Sequence, residues 1–167
     1  MKMIFLFIVL GLGLISCRKN DAEPQQIDQI LNIYIKDSLH RDLLNPKHPQ
    51  SISSVSLSDL GGRYSNTNLS GFRTLVDADS LYFIQYISGA TRNIMDSINP
   101  ELKYYQSDIA LTYQQKINDS THITTVDTLQ INYLWTPTLF QIKNIWLNQA
   151  LIFSKQNDAP NTVEILK

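Results

Sequence analysis

From Ile109 to Trp135 the chain repeats with a period of two, and this restricts its fold more than any other stretch. Ile109, Leu111, Tyr113 and Ile117 alternate with Ala110, Thr112, Gln114 and Lys116. Successive side chains of a strand point to opposite faces, so this spacing puts one apolar row against a core and one polar row in water. Asn118-Asp119-Ser120-Thr121 supplies turn chemistry. Beyond it, Leu129, Ile131, Tyr133 and Trp135 share one face, with Thr128, Gln130 and Asn132 on the other. The Thr, Ile and Tyr content suits strands. A hairpin in an antiparallel sheet, covered on one side only, is the expectation.

Two upstream segments read as helices. Ile27, Ile30, Leu31, Tyr34, Ile35 and Leu39 recur at spacings of three and four, after a Pro24 that suits a first helical turn. Asn45-Pro46 ends the run, because a residue before proline is pushed out of the helical region. Ile33 falls off this stripe, as the margin of a wide buried face or as a hint of strand. Phe83, Ile84, Ile87, Ala90, Ile94, Met95 and Ile98 form a second stripe, with Asp77-Ala78-Asp79-Ser80 as its cap and Asn99-Pro100 as its end. Gly89 inside it costs about 1 kcal/mol relative to alanine, so a break there, with Leu81 to Ile87 as a strand, is a rival.

Between these segments Lys47 to Ser70 is irregular, with Ile52 to Leu57 as a short strand or a loop and Gly61-Gly62 as a turn. Leu139 to Phe153 fits strand and helix alike; continuing a meander favours strand. Val163 to Leu166 reads as a last short strand. The expected fold class is therefore α+β, two amphipathic helices packed on one face of an antiparallel sheet. That order of elements is similar to the cone-shaped folds of the nuclear transport factor 2 type, an analogy of fold alone.

Cysteine use bounds the rest. Cys17 is the single cysteine, so no disulfide framework or thiolate metal site is expected after it. Before it, Lys2 precedes an apolar run from Met3 to Ile15, too short for the roughly 20 residues that span a bilayer but fitting a secretory signal peptide. Leu14-Ile15-Ser16-Cys17 resembles the lipobox of bacterial lipoproteins. The resemblance implies cleavage before Cys17, diacylglyceryl attachment to its sulfur and acylation of the new amino terminus. Stable anchoring needs at least two lipid signals, which such a lipoprotein has. Residues 1–16 are then a signal peptide, 17–26 a lipidated cysteine with a polar tether, and 27–167 a single domain. Neither Arg18 nor Lys19 is the aspartate that retains some lipoproteins at the inner membrane. Outer-membrane placement is the expectation, in either leaflet.

Without Lys2, thirteen Lys plus Arg face fifteen Asp plus Glu, which offers nucleic acid no electrostatic footprint. His40, His48 and His122 fall in separate segments without metal-ligand spacing, so no metal and no cofactor are expected. Asp77 and Asp79 join Glu101 in an acidic site only if the fold gathers them; helix capping accounts for the aspartates otherwise. Tyr82 and Tyr86 are paired candidates for contact with a ring-shaped ligand. Tyr64 is a third, in a loop that could grip a ligand or partner.

Asp followed by Ser or Thr and then an aliphatic residue or Thr occurs at Ser38, Ser80, Ser97, Ser120 and Thr128. This resembles the acceptor of periplasmic O-glycosylation, although caps and turns use the same residues. Two functions are expected from these features. The first is a non-catalytic binding or accessory lipoprotein of the envelope, holding a protein partner, a glycan or an apolar ligand. The alternative is a small periplasmic hydrolase with a pocket lined by Asp and Tyr.

Overall fold

The computed structural model describes residues 23–64 and 66–167; Cys17 and the signal segment lie outside them. Among the described residues there is no helix, and the chain forms twelve strands in two sheets. In order they are β1 (Gln26–Asp28), β2 (Leu31–Lys36), β3 (Ile52–Asp59), β4 (Thr67–Asn68), β5 (Phe72–Val76) and β6 (Tyr82–Tyr86). Then follow β7 (Asn93–Asn99), β8 (Leu102–Asn118), β9 (Thr121–Trp135), β10 (Leu139–Leu147), β11 (Ala150–Ser154) and β12 (Thr162–Leu166). The protein is all-β, which overturns the α+β expectation and its cone-shaped analogy.

The hairpin read from periodicity is β8 and β9, and it is longer than the alternation suggested. Pairing runs from Lys103 opposite Trp135 to Asn118 opposite Thr121. β10 continues the meander along β9, and a turn at Asn148-Gln149, both at positive φ, leads into β11. The outer edge of β8 is shared by β7 and β3, and that of β10 by β11 and a parallel β1. The smaller sheet runs β12-β2-β6-β5, with β12 parallel to β2. One buried cluster draws Ile109, Leu111, Ile131 and Ile142 from the large sheet and Leu31, Ile33, Ile84 and Ile165 from the small one. The sheets therefore share a single core.

Both predicted helices are strands, for a reason of packing. In β2, Leu31, Ile33 and Ile35 are buried while Asn32, Tyr34 and Lys36 are half-exposed. Ile27, Ile30 and Leu39, which completed the helical stripe, are exposed. Their three- and four-residue spacing is incidental. The second stripe divides at Gly89, which stands at φ +127°. Before it, β6 buries Phe83, Ile84 and Tyr86; after it, β7 leaves Ile94, Met95 and Ile98 exposed. Gly71 and Ser88 lie back to back here: a Cβ at Gly71 would sit 1.8 Å from the Ser88 carbonyl oxygen. Asp77 does cap, but in the β5–β6 turn, taking the Asp79 and Leu81 N–H groups at 2.9 Å each.

Turns elsewhere also rest on carboxylates. Asp37 accepts the Leu39 and Arg41 N–H groups at 2.9 Å and the Arg41 side chain at 2.6 Å. Burial works to raise its carboxyl, but those donors outweigh it and hold the group at about 2, below the ordinary 3.8. Asp59, buried, is held below its ordinary range in the same way by the Thr91 hydroxyl and the N–H groups of Thr91 and Gly61. A carboxylate depressed on folding adds stability above its unfolded pKa and loses it as pH falls through the folded value. Thermal melting is thus expected to be flat from neutrality to about pH 5 and to fall steeply between about pH 4 and pH 2. A melting temperature unchanged at pH 2 would contradict these assignments.

Candidate functional site

Strand lengths create the most developed recess. β8 has 17 residues and β9 has 15, against five or six in the strands of the smaller sheet. At about 3.3 Å per residue the hairpin is ~50–55 Å long and the small sheet ~17–20 Å, so the small sheet covers only the middle of the inner face. Near the β7 end that cover thins, although Tyr133 and Ile142 are still buried and Phe140 is nearly so. Two cross-strand rows define this part of the face: Lys103–Trp135–Phe140–Ile27 and Ile94–Tyr105–Tyr133–Ile142. Alternation places each row on the side that faces the core farther along the strands. The outer members stay accessible, Ile27 at 62% and Ile94 at 58% exposure.

Here a groove of about 360 Å³ opens, bounded by Ile27, Tyr105, Trp135, Phe140 and the polar Gln25, Gln29 and Arg92. This lies at the small end of the roughly 300–1,000 Å³ typical of ligand pockets. Its floor is stiff: the Tyr133 and Phe140 rings stack with centroids 5.2 Å apart and planes at 14°. The Arg92 guanidinium carbon lies 4.7 Å from the Phe140 centroid and 5.2 Å from that of Tyr133, and Arg92 Nη2 donates to Gln29 Oε1. Burial pushes the Tyr133 hydroxyl up to about 12, so it stays a neutral hydrogen-bonding group at any working pH. Lys103 Nζ sits 4.9 Å from the Trp135 centroid. The result is an aromatic recess lined by one cation, Arg92, and no carboxylate, with Lys103 beside it over Trp135.

The tyrosines singled out from sequence go elsewhere. Tyr86 is 2% exposed, with its hydroxyl accepting the Ala90 N–H at 3.0 Å. Tyr82 is half-buried against the same core. The two do share a face, but it is the inner face of β6, on either side of fully buried Ile84. Tyr64 is exposed at a shallow polar hollow of about 330 Å³ bordered by Asp59, Arg63 and Thr91. Asp77 and Asp79 stay in the β5–β6 turn, whereas Glu101 sits in the β7–β8 turn on the large sheet.

The histidines remain apart. His40 pairs with Glu164 at 2.8 Å, His122 lies exposed on β9, and His48 is buried beside Asp37 with its Nδ1 accepting the Gln50 N–H. Among the described residues no group of three or more His, Cys, Asp or Glu side chains is placed to hold a metal ion.

All five hydroxyl residues of the Asp-Ser/Thr triplets are exposed. Ser38, Ser80 and Ser120 lie in turns, Ser97 on β7 and Thr128 on β9. Two of the preceding aspartates have structural work: Asp37 caps its turn, and Asp127 is buried in an ion pair with Lys167.

Sequence reasoning placed Trp135 and Tyr133 on the correct face but not Tyr105, Phe140 or Arg92 in a common recess. The groove depends on the difference in length between two sheets, and two strands of the second sheet, β2 and β6, lie in segments whose spacing predicts helix. In comparisons with protein-family models, curated proteins and solved structures, none matches this chain.

Proposed function

We propose that this chain is a lipoprotein of the bacterial envelope, held to a membrane by lipid on Cys17, whose domain binds a ligand or partner in the aromatic groove without catalysing a reaction. The groove is the observation that carries the binding half of this reading. Aromatic side chains near an open, stiff recess are what binding sites use, with a few polar groups to set orientation. The lipobox carries the other half. It also places the groove: eight residue steps separate Cys17 from Gln25 at its rim, a reach of at most about 25–30 Å. Whatever binds there is therefore a component of the envelope, another anchored protein or a small ligand, rather than nucleic acid.

The hydrolase alternative needs a carboxyl group poised toward neutrality in a pocket. Among the described residues, the Asp and Glu groups that depart clearly from ordinary values are all lowered, and none of them lines the groove. Lowered carboxylates held by hydrogen bonds suit turns and ion pairs. This favours the binder.

Replacing Cys17 with serine is expected to remove the acyl mass and to leave the uncleaved signal peptide, with its apolar run from Met3 to Ile15, on the chain. A mature natural protein whose intact mass carries no acyl chains would sink the anchor. The same intact-mass measurement on protein from the native host tests modification of the exposed hydroxyls. Mass beyond polypeptide plus lipid, lost stepwise as Ser38, Ser80, Ser97, Ser120 and Thr128 are replaced by alanine, is expected from O-glycosylation.

A further inference from the structure

The geometry points to an acidic saccharide as the occupant of the groove, an inference that rests on the groove being the binding site. Charge is the first argument. The chain as a whole is slightly acidic, yet the one charged residue lining this recess is Arg92, with Lys103 next to it over the Trp135 ring. Two acids close in sequence to the lining residues belong to other faces. Asp28, the residue after Ile27, is turned to Lys155 and Asn161. Asp96 on β7 stands opposite Tyr104, on the other side of the sheet from Tyr105.

Shape and donor geometry supply the second argument. Arg92 lies over the Phe140 and Tyr133 rings and is tied to Gln29. A guanidinium has five N–H donors in a rigid fork that matches a carboxylate two bonds at a time. Gln29 occupies one of them, and the contacts with the two rings and Gln29 hold the group at the groove with donors left for a ligand. Trp135 and Tyr105 line the groove beside it. A pyranose presents an apolar face of C–H bonds, which the negative face of an aromatic ring attracts. Gln25 and Gln29 add amides suited to hydroxyl groups.

An extended peptide fits less well. Such ligands are held through main-chain hydrogen bonds at a sheet edge, whereas the floor here is made of side chains on β8, β9 and β10, whose backbones are already paired. A ring bearing a carboxylate uses everything the groove presents.

The test is calorimetric titration of the full-length protein in detergent with tetramers of galacturonate, mannuronate and a glucuronate-containing glycan, each beside its carboxyl-reduced form. At least one acidic tetramer is expected to bind, and reduction of its carboxyl groups to weaken binding at least about tenfold. Arg92→Gln should impose the same loss on the acidic tetramer and none on the reduced one, while Trp135→Ala should weaken both. Lys103→Gln is a second charge variant, and melting temperatures report that each variant is folded. Equal binding of acidic and reduced forms, or indifference to Arg92→Gln, overturns the acidic assignment and leaves the groove as a binding site. Failure of every tetramer to bind the unaltered protein overturns the saccharide inference, and the groove reading is then judged separately by whether Trp135→Ala releases envelope material.

Discussion

Ile33→Ala is expected to destabilise the protein by about 2–5 kcal/mol, whereas Leu39→Ala should change stability by no more than about 0.5 kcal/mol. Ile33 is 1% exposed at the centre of β2, between parallel β12 and antiparallel β6. Truncation there removes buried methyl groups and leaves a cavity that strands paired on both sides cannot collapse into. Leu39 is 70% exposed in the turn after β2. A helix carrying its stripe on Ile27, Ile30, Leu31, Tyr34, Ile35 and Leu39 demands the opposite ranking, with Leu39 costly and Ile33 marginal. Chemical denaturation of the two variants separates the cases. A larger loss for Leu39→Ala than for Ile33→Ala would contradict the strand assignment.

Asp127→Ala should cost about 3 kcal/mol, the low end of what breaking a buried ion pair from one side costs. The Asp127 carboxylate is buried, with Lys167 Nζ 2.7 Å from Oδ2, Asn148 Nδ2 donating to Oδ1 at 2.9 Å and the Tyr113 hydroxyl donating to Oδ2 at 3.3 Å. Its removal leaves an ammonium, an amide and a phenol without their acceptor. The low end applies because the Lys167 side chain keeps some contact with water, at 22% exposure. Lys167→Met added to Asp127→Ala should recover part of the loss, since the double variant no longer holds a lone charge.

The pair also has a pH signature. Burial pulls the Lys167 pKa down, but hydrogen bonding to Asp127 and Tyr113 outweighs it and the group lies above the ordinary 10.5. A cation whose pKa is raised on folding contributes stability fully below its unfolded pKa and loses it as pH rises through the folded one. Stability should therefore fall above about pH 10.5 in the natural protein and less steeply in Asp127→Ala. Equal slopes in the two proteins would contradict the coupling.

How much of this was legible depends on what each residue faces. Ile109 to Trp135 declared itself because the hairpin is buried on one side and wet on the other, which writes alternation directly into the chain. Leu31, Ile33 and Ile35 alternate too, but Ile27, Ile30 and Leu39 stand exposed nearby and complete a false helical stripe. Phe83 and Ile84 are adjacent and both buried, which erases the alternation in β6, and only Gly89 marked where that segment ends. The groove left a fainter trace. Trp135 extends the buried row to where the cover thins, and nothing in a single chain states where a facing sheet stops. Arg92 gains its role from Phe140 and Tyr133, which lie about forty to fifty residues away in sequence and meet it only once β9 and β10 are paired.

The proposal that most needs testing is that this protein binds a component of the envelope in the groove lined by Trp135, Phe140 and Arg92. Immobilised protein, Trp135→Ala and the outer-face variant Tyr104→Ala can be exposed side by side to solubilised envelope from the native host, with bound mass read on a sensor surface. The account predicts that the unaltered protein and Tyr104→Ala retain the same material and that Trp135→Ala loses it. Retention by Trp135→Ala at the level of the unaltered protein would contradict the claim.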